Sequence, residues 1–575
     1  MGDARHPRAI PTPLHMLSLL CLALVAAPDG SPFVARDLVA GDTVVTTTCG
    51  SDAKDYILEV NGAGLVVADF DLDGHLDLVV VDGSTIGRAR EAEPALPTRL
   101  LLGDGAGGFA LAGESWTIPP GRWANGGCAG DVDADGDPDL FLTEWGQNRL
   151  LLNDGGGGFV DVTGGLPAPE PEEGEERGEP TPTGLRGNRW STSAAFLDYD
   201  LDGHLDLVVV NYLAFHLEEA KGPGDGCTWK GHDVMCGPEG MIPVHDQLLR
   251  GRGDGTFEDV SAGVGFRPKV AGFGLGVMTL DYDDDGDTDI YVTNDSTPNH
   301  LWENQGDGTF VEVGLRRGVS HDANGKEQAG MGIACGDVDG DGRSDLFVTN
   351  FSGERNAFYR SSRKKGFRER ADVAKLGGPS IQRLGWGTGL QDVDLDGRLD
   401  LFVVNGHVYP QADRAGTDTT YAQPDQLFLG REGGSFEEFP LADETPRVGR
   451  AALAADFDED GDLDVLIAEM NGPVRYLENT TEAGEGRHWL ELDLVGTASH
   501  PDAVGARVTV VTESGKHSAE VRTTAGYQAG ATRRLHFGLG AAEVVKELRV
   551  RWPSGIEQVL KDVAVDRVLR VEEAK

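Results

Sequence analysis

Basic side chains are scarce in this chain. Its 575 residues include 96 aspartates and glutamates but only 50 lysines and arginines, a formal charge of −46. Nucleic acid and anionic membrane surfaces are held by clustered Lys and Arg, so neither is expected as a partner. Long apolar runs are missing after Ala27, so no membrane span is expected either. Catalytic signatures are absent as well: there is no H-E-x-x-H and no G-x-S-x-G, and no catalytic or organic-cofactor residue is assigned. Cysteine is sparse, with six in the whole chain. Cys227 and Cys236 share one Gly/Pro-rich insertion, "CTWKGHDVMC", and are candidates for a disulfide, with two unpaired loop thiols as the alternative. Cys128 and Cys335 stand in "GGCAGD" and "GIACGD", where small buried strand residues are expected.

The single early apolar run, Leu14 to Ala27, follows Arg5 and Arg8 and is too short to cross a bilayer. It fits the apolar region of a secretory signal, so 1–27 is read as a signal peptide with cleavage near Ala26 or Ala27, and 28–48 as a linker. The mature chain is then secreted, periplasmic or held at the cell surface.

Glycine is what the sequence has in excess. Its 82 glycines are about twice the usual ~7% share and point to many turns rather than long helices. Much of the acidity is local too. The pattern D-x-D-x-D-G-x-x-D occurs seven times with no aspartate or glycine missing. Its aspartates are Asp69, Asp71, Asp73 and Asp77; Asp131, Asp133, Asp135 and Asp139; Asp198, Asp200, Asp202 and Asp206; Asp281, Asp283, Asp285 and Asp289; Asp337, Asp339, Asp341 and Asp345; Asp392, Asp394, Asp396 and Asp400; and Asp456, Asp458, Asp460 and Asp464. These 28 side chains supply more than half of the acidic excess, which weakens any reading of the chain as a disordered polyacid.

Around each motif the chain reads as strands. "GLVVAD" precedes Asp69 and "LVVVD" follows Asp77, and the other copies are followed by runs such as "LFLTE", "IYVTN" and "VLIAE". A second strand pair around a glycine turn comes next, as in "QLLRGRGDGTFEDVS" from Gln247. Each unit thus holds four short strands. Motif starts are separated by 62, 67, 83, 56, 55 and 64 residues, so the basic unit is about 55 residues and the longer gaps carry insertions. The largest are the Pro/Glu-rich 166–183 and the cysteine-bearing 215–245, which is expected to hang over one face. Seven four-stranded units of this length describe a propeller. The seventh lacks its own fourth strand, and "YILEVNG" from Tyr56 is expected to supply it and close the ring.

Four carboxylates at positions 1, 3, 5 and 9, a glycine at 6 for the sharp turn and a carbonyl at 7 make a cage of hard oxygen ligands suited to Ca²⁺. A helix-loop-helix site is excluded, because position 12 there is a bidentate Glu. Here it is Val80, Leu142, Val209, Val292, Val348, Val403 or Ile467, each inside a strand. The bland alternative is a solvated Asp-rich turn without metal. Up to seven Ca²⁺ are therefore expected.

The seven repeats resemble the FG-GAP/VCBS repeats of integrin-α-like β-propellers, a resemblance that implies Ca²⁺ in the loop between the first two strands of each blade. The tail resembles the ASPIC/UnbV domain of the cartilage acidic protein family and its bacterial relatives. That match rests on "HWLELDLVG" at His488, "HPDAVGARVTV" at His500, "GYQAG" at Gly526, "LHFGLG" at Leu535 and "LRVRWPSG" at Leu548. The expected architecture is all-β: a seven-bladed integrin-α-like propeller over 49–480 and a small β-sandwich over 486–575. The tail has no Asp loop and is expected to fold separately, without Ca²⁺.

Other patterns are set aside. Arg252-Gly253-Asp254 spells an adhesion tripeptide but occupies the same turn as "NQGDG" at Asn304. Gly103, Gly105 and Gly108 spell G-x-G-x-x-G, but a strand follows where a dinucleotide site needs a helix. Asn294, Asn350 and Asn479 begin glycosylation sequons, yet the first two fall at a polar strand end, where a turn role is expected. His407 in "NGHVYP" is read as a packed loop residue, with ligand contact as the alternative. Three function classes follow: a secreted Ca²⁺-stabilised module that binds an extracellular protein or polysaccharide, a polysaccharide lyase or hydrolase on the same scaffold, and a structural protein of a matrix or envelope.

Overall fold

The computed structural model describes residues 31–40, 43–166, 189–362, 366–441, 443, 445–481 and 486–575. The expected signal peptide and most of the Pro/Glu-rich 166–183 lie outside them. The described residues are overwhelmingly strands joined by turns, and none of their helices is long and apolar enough to cross a membrane.

Each Asp motif joins the first two strands of a four-stranded antiparallel sheet. In the first repeat these are Gly64–Ala68, Asp77–Val81, Arg99–Gly103 and Phe109–Leu111. The residue before the motif pairs with its last aspartate in every copy, from Ala68↔Asp77 through Ala455↔Asp464. Apolar runs such as "LVVV" are continuous rather than alternating because both faces of a sheet are covered, as a strand buried on both sides requires. Val66, Val79 and Val81 pack against Leu140 and Leu142 of the second sheet. Leu65, Val67 and Leu78 pack against Leu453 and Leu466 of the last. The first and last sheets are thus neighbours, and the first strands follow one another around a common centre.

The last sheet is completed from the N-terminal side, but not by the expected segment. Phe33–Arg36 pairs antiparallel with Arg475–Asn479, with Phe33 opposite Asn479. The stretch from Tyr56 instead forms a 3-10 turn, Ile57–Glu59, whose start is held by the Glu59 carboxylate accepting the N–H groups of Tyr56 and Ser51. Ile57 and Leu58 then sink into a cluster with Trp123, Trp145, Trp190 and Trp386. Part of the expected linker is therefore a sheet strand, and the expected strand is part of a plug of apolar side chains.

The insertion between the second and third strands of the third repeat carries a Cys227–Cys236 disulfide, as expected. It lies at the end of the sheet opposite the Asp loop. Its Phe215 packs on Trp145 at 5.5 Å, and its Trp229 on His407 at 4.7 Å and Tyr409 at 5.6 Å.

The tail has its own apolar core. One sheet orders Leu535–Gly540, His488–Val495 and Val568–Glu572, and the other Lys516–Glu520, Arg507–Val511, Val544–Arg551 and Glu557–Ala564. Leu490, Val508, Phe537, Leu548 and Val571 meet between them. Yet the tail does not stand apart, as the sequence had suggested. Residues 523–530 leave it and enter the centre of the ring. There the Thr523 hydroxyl donates to the Phe196 carbonyl at 3.1 Å and accepts the Phe196 N–H at 2.8 Å. Gln528 accepts the N–H of Leu65 at 3.2 Å and donates its own to the Ser193 hydroxyl at 3.0 Å. Ala529–Gly530 adds a parallel strand to the first sheet. Tyr527 is fully buried, its ring 5.1 Å from that of Trp386.

Candidate metal centres in the aspartate loops

The repeated register places all seven motifs at one end of the sheets, and their backbones are alike. The glycine at position 6 has positive φ in every loop, from +85° at Gly203 to +104° at Gly136 and Gly286. Position 4 is left-handed too, which the sequence reading did not anticipate. It is Leu72, Ala134, Leu201, Asp284, Leu395 or Glu459 in six loops, with φ between 56° and 64°, and glycine only at Gly340. Non-glycine residues rarely hold this conformation unless the surroundings impose it. Gly340 was the one hint of it in the sequence.

The aspartates impose it. At position 1 the carboxylate of Asp69 accepts the N–H groups of Asp73 at 3.1 Å and Gly74 at 3.0 Å, and Asp131, Asp198, Asp281, Asp337 and Asp392 do the same in their loops. At position 5, Asp73 accepts the N–H of His75 at 2.9 Å. Position 9 ties the loop to the sheet. Asp139 accepts the N–H of Val132 at 2.8 Å on one oxygen and that of Asn153, on the third strand, at 2.8 Å on the other. Asp77, Asp206, Asp289, Asp400 and Asp464 repeat this pair of bonds.

These constraints bring the carboxylates together. One oxygen each from Asp69, Asp71 and Asp77 lie within 4.8 Å of one another, as do those of Asp131, Asp133 and Asp139, of Asp198, Asp200 and Asp206, of Asp281, Asp283 and Asp285, and of Asp337, Asp339 and Asp341, with two further clusters of this kind. Burial pushes Asp77 and Asp345 up to about 7 and Asp139 and Asp464 up to about 8, with neighbouring aspartates adding to the rise. The position-3 oxygens are the telling ones. Oδ1 of Asp133, Asp200, Asp394 and Asp458 is buried and makes no hydrogen bond among the described residues. A buried acceptor without a partner is costly, and one that sits in a carboxylate trio fits a hard cation as its missing partner.

Arginines also reach the loops, which the sequence did not indicate. Arg343 contacts Asp341, Arg360 contacts Asp339, Arg398 contacts Asp396, and Arg250 lies 2.8 Å from both Asp200 and Asp202. Arg551 of the tail contacts Asp281, and Arg507 lies 2.7 Å from Asp284.

The remaining candidates have structural roles. Asp254 of the tripeptide turn accepts the N–H of Thr256 at 3.0 Å, the geometry of an ordinary Asx turn. The amides of Asn294, Asn350 and Asn479 are buried and donate to the carbonyls of Pro298, Arg355 and Val393 at 2.8 Å, the turn role expected for the first two. His407 is fully buried. Its Nδ1 accepts the N–H of Tyr409 at 3.0 Å, so Nε2 carries the proton and donates to the Ser352 hydroxyl at 2.9 Å. That direction is the reverse of what activates a serine nucleophile.

Strand-sheets that pack face to face around a centre, each opened by one carboxylate-lined turn, define a propeller-like repeat protein of the aspartate-loop kind. Family comparison agrees: the FG-GAP-like repeat model matches residues 69–142, 131–209, 281–348, 337–403 and 392–467, and the ASPIC and UnbV model matches 496–575. The chain belongs to the family of FG-GAP repeat proteins that end in an ASPIC/UnbV domain. It is 29% identical over 350 residues to cartilage acidic protein 1 of Mus musculus, covering 59% of this chain and 50% of that one. It is 29% identical over 341 residues to the Homo sapiens protein, covering 57% and 48%. It thus spans about half the length of the curated relatives it matches. Among solved structures it resembles YCF48 bound to D1 peptide, at a TM-score of 0.41, 12% identity and coverage of 80% of this chain and 99% of that one. It also resembles the BP39L lectin of Burkholderia pseudomallei, at 0.38, 13%, and 74% and 97%.

Proposed function

We propose that this protein is a secreted, seven-bladed, Ca²⁺-stabilised propeller that works as an interaction module for an extracellular protein or polysaccharide. Its propeller runs over 49–480 with Phe33–Arg36 added as the closing strand, and its tail over 486–575 is a β-sandwich whose 523–530 loop fills the propeller centre. The four aspartates of each motif hold Ca²⁺, and the ion's task is structural. Bound there, it neutralises the crowded carboxylates and locks the first hairpin to the third strand through position 9. The observation that carries this reading is the buried, unpartnered Oδ1 of Asp133, Asp200, Asp394 and Asp458. Secretion is supported by the apolar N-terminal run and by likeness to proteins named for an extracellular tissue. A binding role is favoured over an enzymatic one by the wrong-way Ser352–His407 hydrogen bond and by the absence of catalytic motifs from the sequence.

Two measurements test it. Metal analysis of protein equilibrated in millimolar Ca²⁺ is expected to find several ions per chain, up to seven, and EDTA is expected to lower the main melting transition sharply. A chelated protein that melts where the Ca²⁺ form does would refute the structural role. Binding screens against a glycan array and an extracellular-matrix extract then address the partner, with product analysis on a polysaccharide panel as the check on catalysis.

A further inference from the structure

The 523–530 loop does not fill the ring evenly. Its hydrogen bonds go to Leu65, Ser193, Phe196 and Val277, on the inner strands of the first, third and fourth sheets. On the other side, beneath the fifth, sixth and seventh sheets, a cavity of about 490 Å³ is left between the Asp-loop end of the ring and the tail. That size is within the range of small-molecule sites, roughly 300 to 1,000 Å³. Its floor is built of small inner-strand side chains, Ala334, Cys335, Thr388 and Ala452. The exposed turns at 432–433 and 514–516 also line it.

The polar groups on its wall divide into those already satisfied and those not. Arg522 donates to the Thr279 carbonyl at 2.7 Å and to Glu520 at 2.9 Å, and Thr388 donates to the Phe402 carbonyl at 2.6 Å. Arg534 is different. Its guanidinium pairs with Glu491, also on the wall, at 3.5 Å and makes no other side-chain hydrogen bond among the described residues. Opposite in character is His536. Its Nε2 lies 2.9 Å from the Gly461 carbonyl, which can only accept, so the proton is on Nε2 and Nδ1 presents a lone pair. That Nδ1, and Nε2 of His517, are buried on the cavity wall with no hydrogen-bond partner among the described residues.

A guanidinium whose one partner is held by a single long contact has donors left for a second carboxylate, which it binds in two parallel bonds, and an imidazole lone pair calls for a hydroxyl donor. We propose that this cavity is a binding site for a small carboxylate that also carries hydroxyl groups, of the size of one or two sugar-acid rings. Arg534 holds the carboxylate, His536 accepts from a hydroxyl, and the small side chains of the floor leave room for the ring. The wall also carries Asp337, Asp339, Asp392 and Asp456 of the aspartate loops and the carboxylates of Glu432, Glu491 and Glu520, so the anion is placed at Arg534 and the titrations are run in millimolar Ca²⁺.

The test is calorimetric titration of the full chain with D-glucuronate and D-galacturonate, and with acetate and D-glucose as the two halves of the chemistry. At least one uronate is expected to bind with a Kd of about 1 mM or tighter, and both halves at least roughly tenfold more weakly. Arg534→Gln is expected to weaken the uronate at least roughly tenfold. Cys335 lines the same cavity, whereas Cys49 and Cys128 are fully buried, so a bound uronate is also expected to slow alkylation of Cys335 in the unaltered protein. That measurement decides the matter if the Arg534 variant does not fold. No uronate binding at about 10 mM, or binding that neither Arg534→Gln nor Cys335 alkylation registers, overturns the proposal.

Discussion

The carbonyl of Gly526, in the tail, accepts the N–H of Val277, on an inner strand of the fourth sheet, at 3.0 Å. Gly526 holds φ at +97°, and a β-carbon there would sit 2.3 Å from the Ile333 carbonyl oxygen. Gly526→Ala is therefore expected to cost on the order of 2 to 4 kcal/mol, combining left-handed strain with a backbone collision. Gly515→Ala, where nothing lies within 4 Å, is expected to stay within about 0.5 kcal/mol of the parent. Urea unfolding of both variants checks this. Because the loop is shared, propeller and tail should be lost in one transition; two well-separated transitions would contradict it.

Ring closure by Phe33 gives a second comparison. Phe33 is 1% exposed and packs with Val404, Leu427 and Leu477. Phe33→Ala is expected to destabilise by about 3 to 5 kcal/mol, as for other large core truncations. Deleting the segment before residue 40 should have at least as large an effect on thermal melting.

Holding Ca²⁺ as proposed, the aspartate loops should act collectively. Extracellular sites of this ligand type bind with Kd of roughly 10⁻⁴ to 10⁻³ M, so at about millimolar Ca²⁺ each adds on the order of 0.4 to 1.4 kcal/mol. Seven of them add roughly 3 to 10 kcal/mol, comparable to the ~5 to 15 kcal/mol stability of a typical domain. Asp341→Ala alone should lower the melting temperature modestly in Ca²⁺, and EDTA should lower it severely. Differential scanning calorimetry with and without chelator reads both.

Glu573 supplies a pH-dependent contribution from within the tail. It is 3% exposed, and burial alone would raise it. The Ser554 hydroxyl and the N–H groups of Ser499, Thr497 and Ala498 outweigh that and hold it at about 2, against an ordinary 4.5. A carboxylate depressed by folding stabilises above its unfolded value and loses that stabilisation as pH falls from about 4.5 toward about 2. Glu573→Gln should cost about 1.5 to 3 kcal/mol at pH 7, and the gap to the parent should narrow below pH ~4.5. Parallel urea titrations at neutral and acid pH measure it.

What could be read from the sequence was local. The D-x-D-x-D-G-x-x-D spacing encodes a turn whose donors and acceptors lie within nine residues, so Asp69 to Asp77 announced itself without any tertiary information. Phe33–Arg36 did not, because four residues of "FVAR" carry little signal and their partner strand lies at the far end of the repeats. "TTAGYQAG" reads as a loop by every local criterion; only the ring around it makes it a core. One long-range feature was present but went unread. Where the second strand ends in an acid, as at Asp82, Glu144 or Glu469, the third supplies Arg99, Arg149 or Arg475 as its ion-pair partner. Where the same position holds Asn211, Asn294, Asn350 or Asn405, the third strand opens with Gln247, His300, Ala357 or Gln426. The charge pairs switch together from repeat to repeat, as adjacent positions on neighbouring strands should.

The centre-filling loop also sets an order of events during synthesis. Residues 523–530 are made after every strand of the ring, and the strand at 33–36, made first, waits for Arg475–Asn479 before it has a partner. A nascent chain can therefore assemble individual sheets as they emerge, but its rim is not finished before residues 475–479 are made, nor its axis before residues 523–530. On the proposal that the protein is secreted, that delay leaves the ring unclosed while most of the chain is still being made.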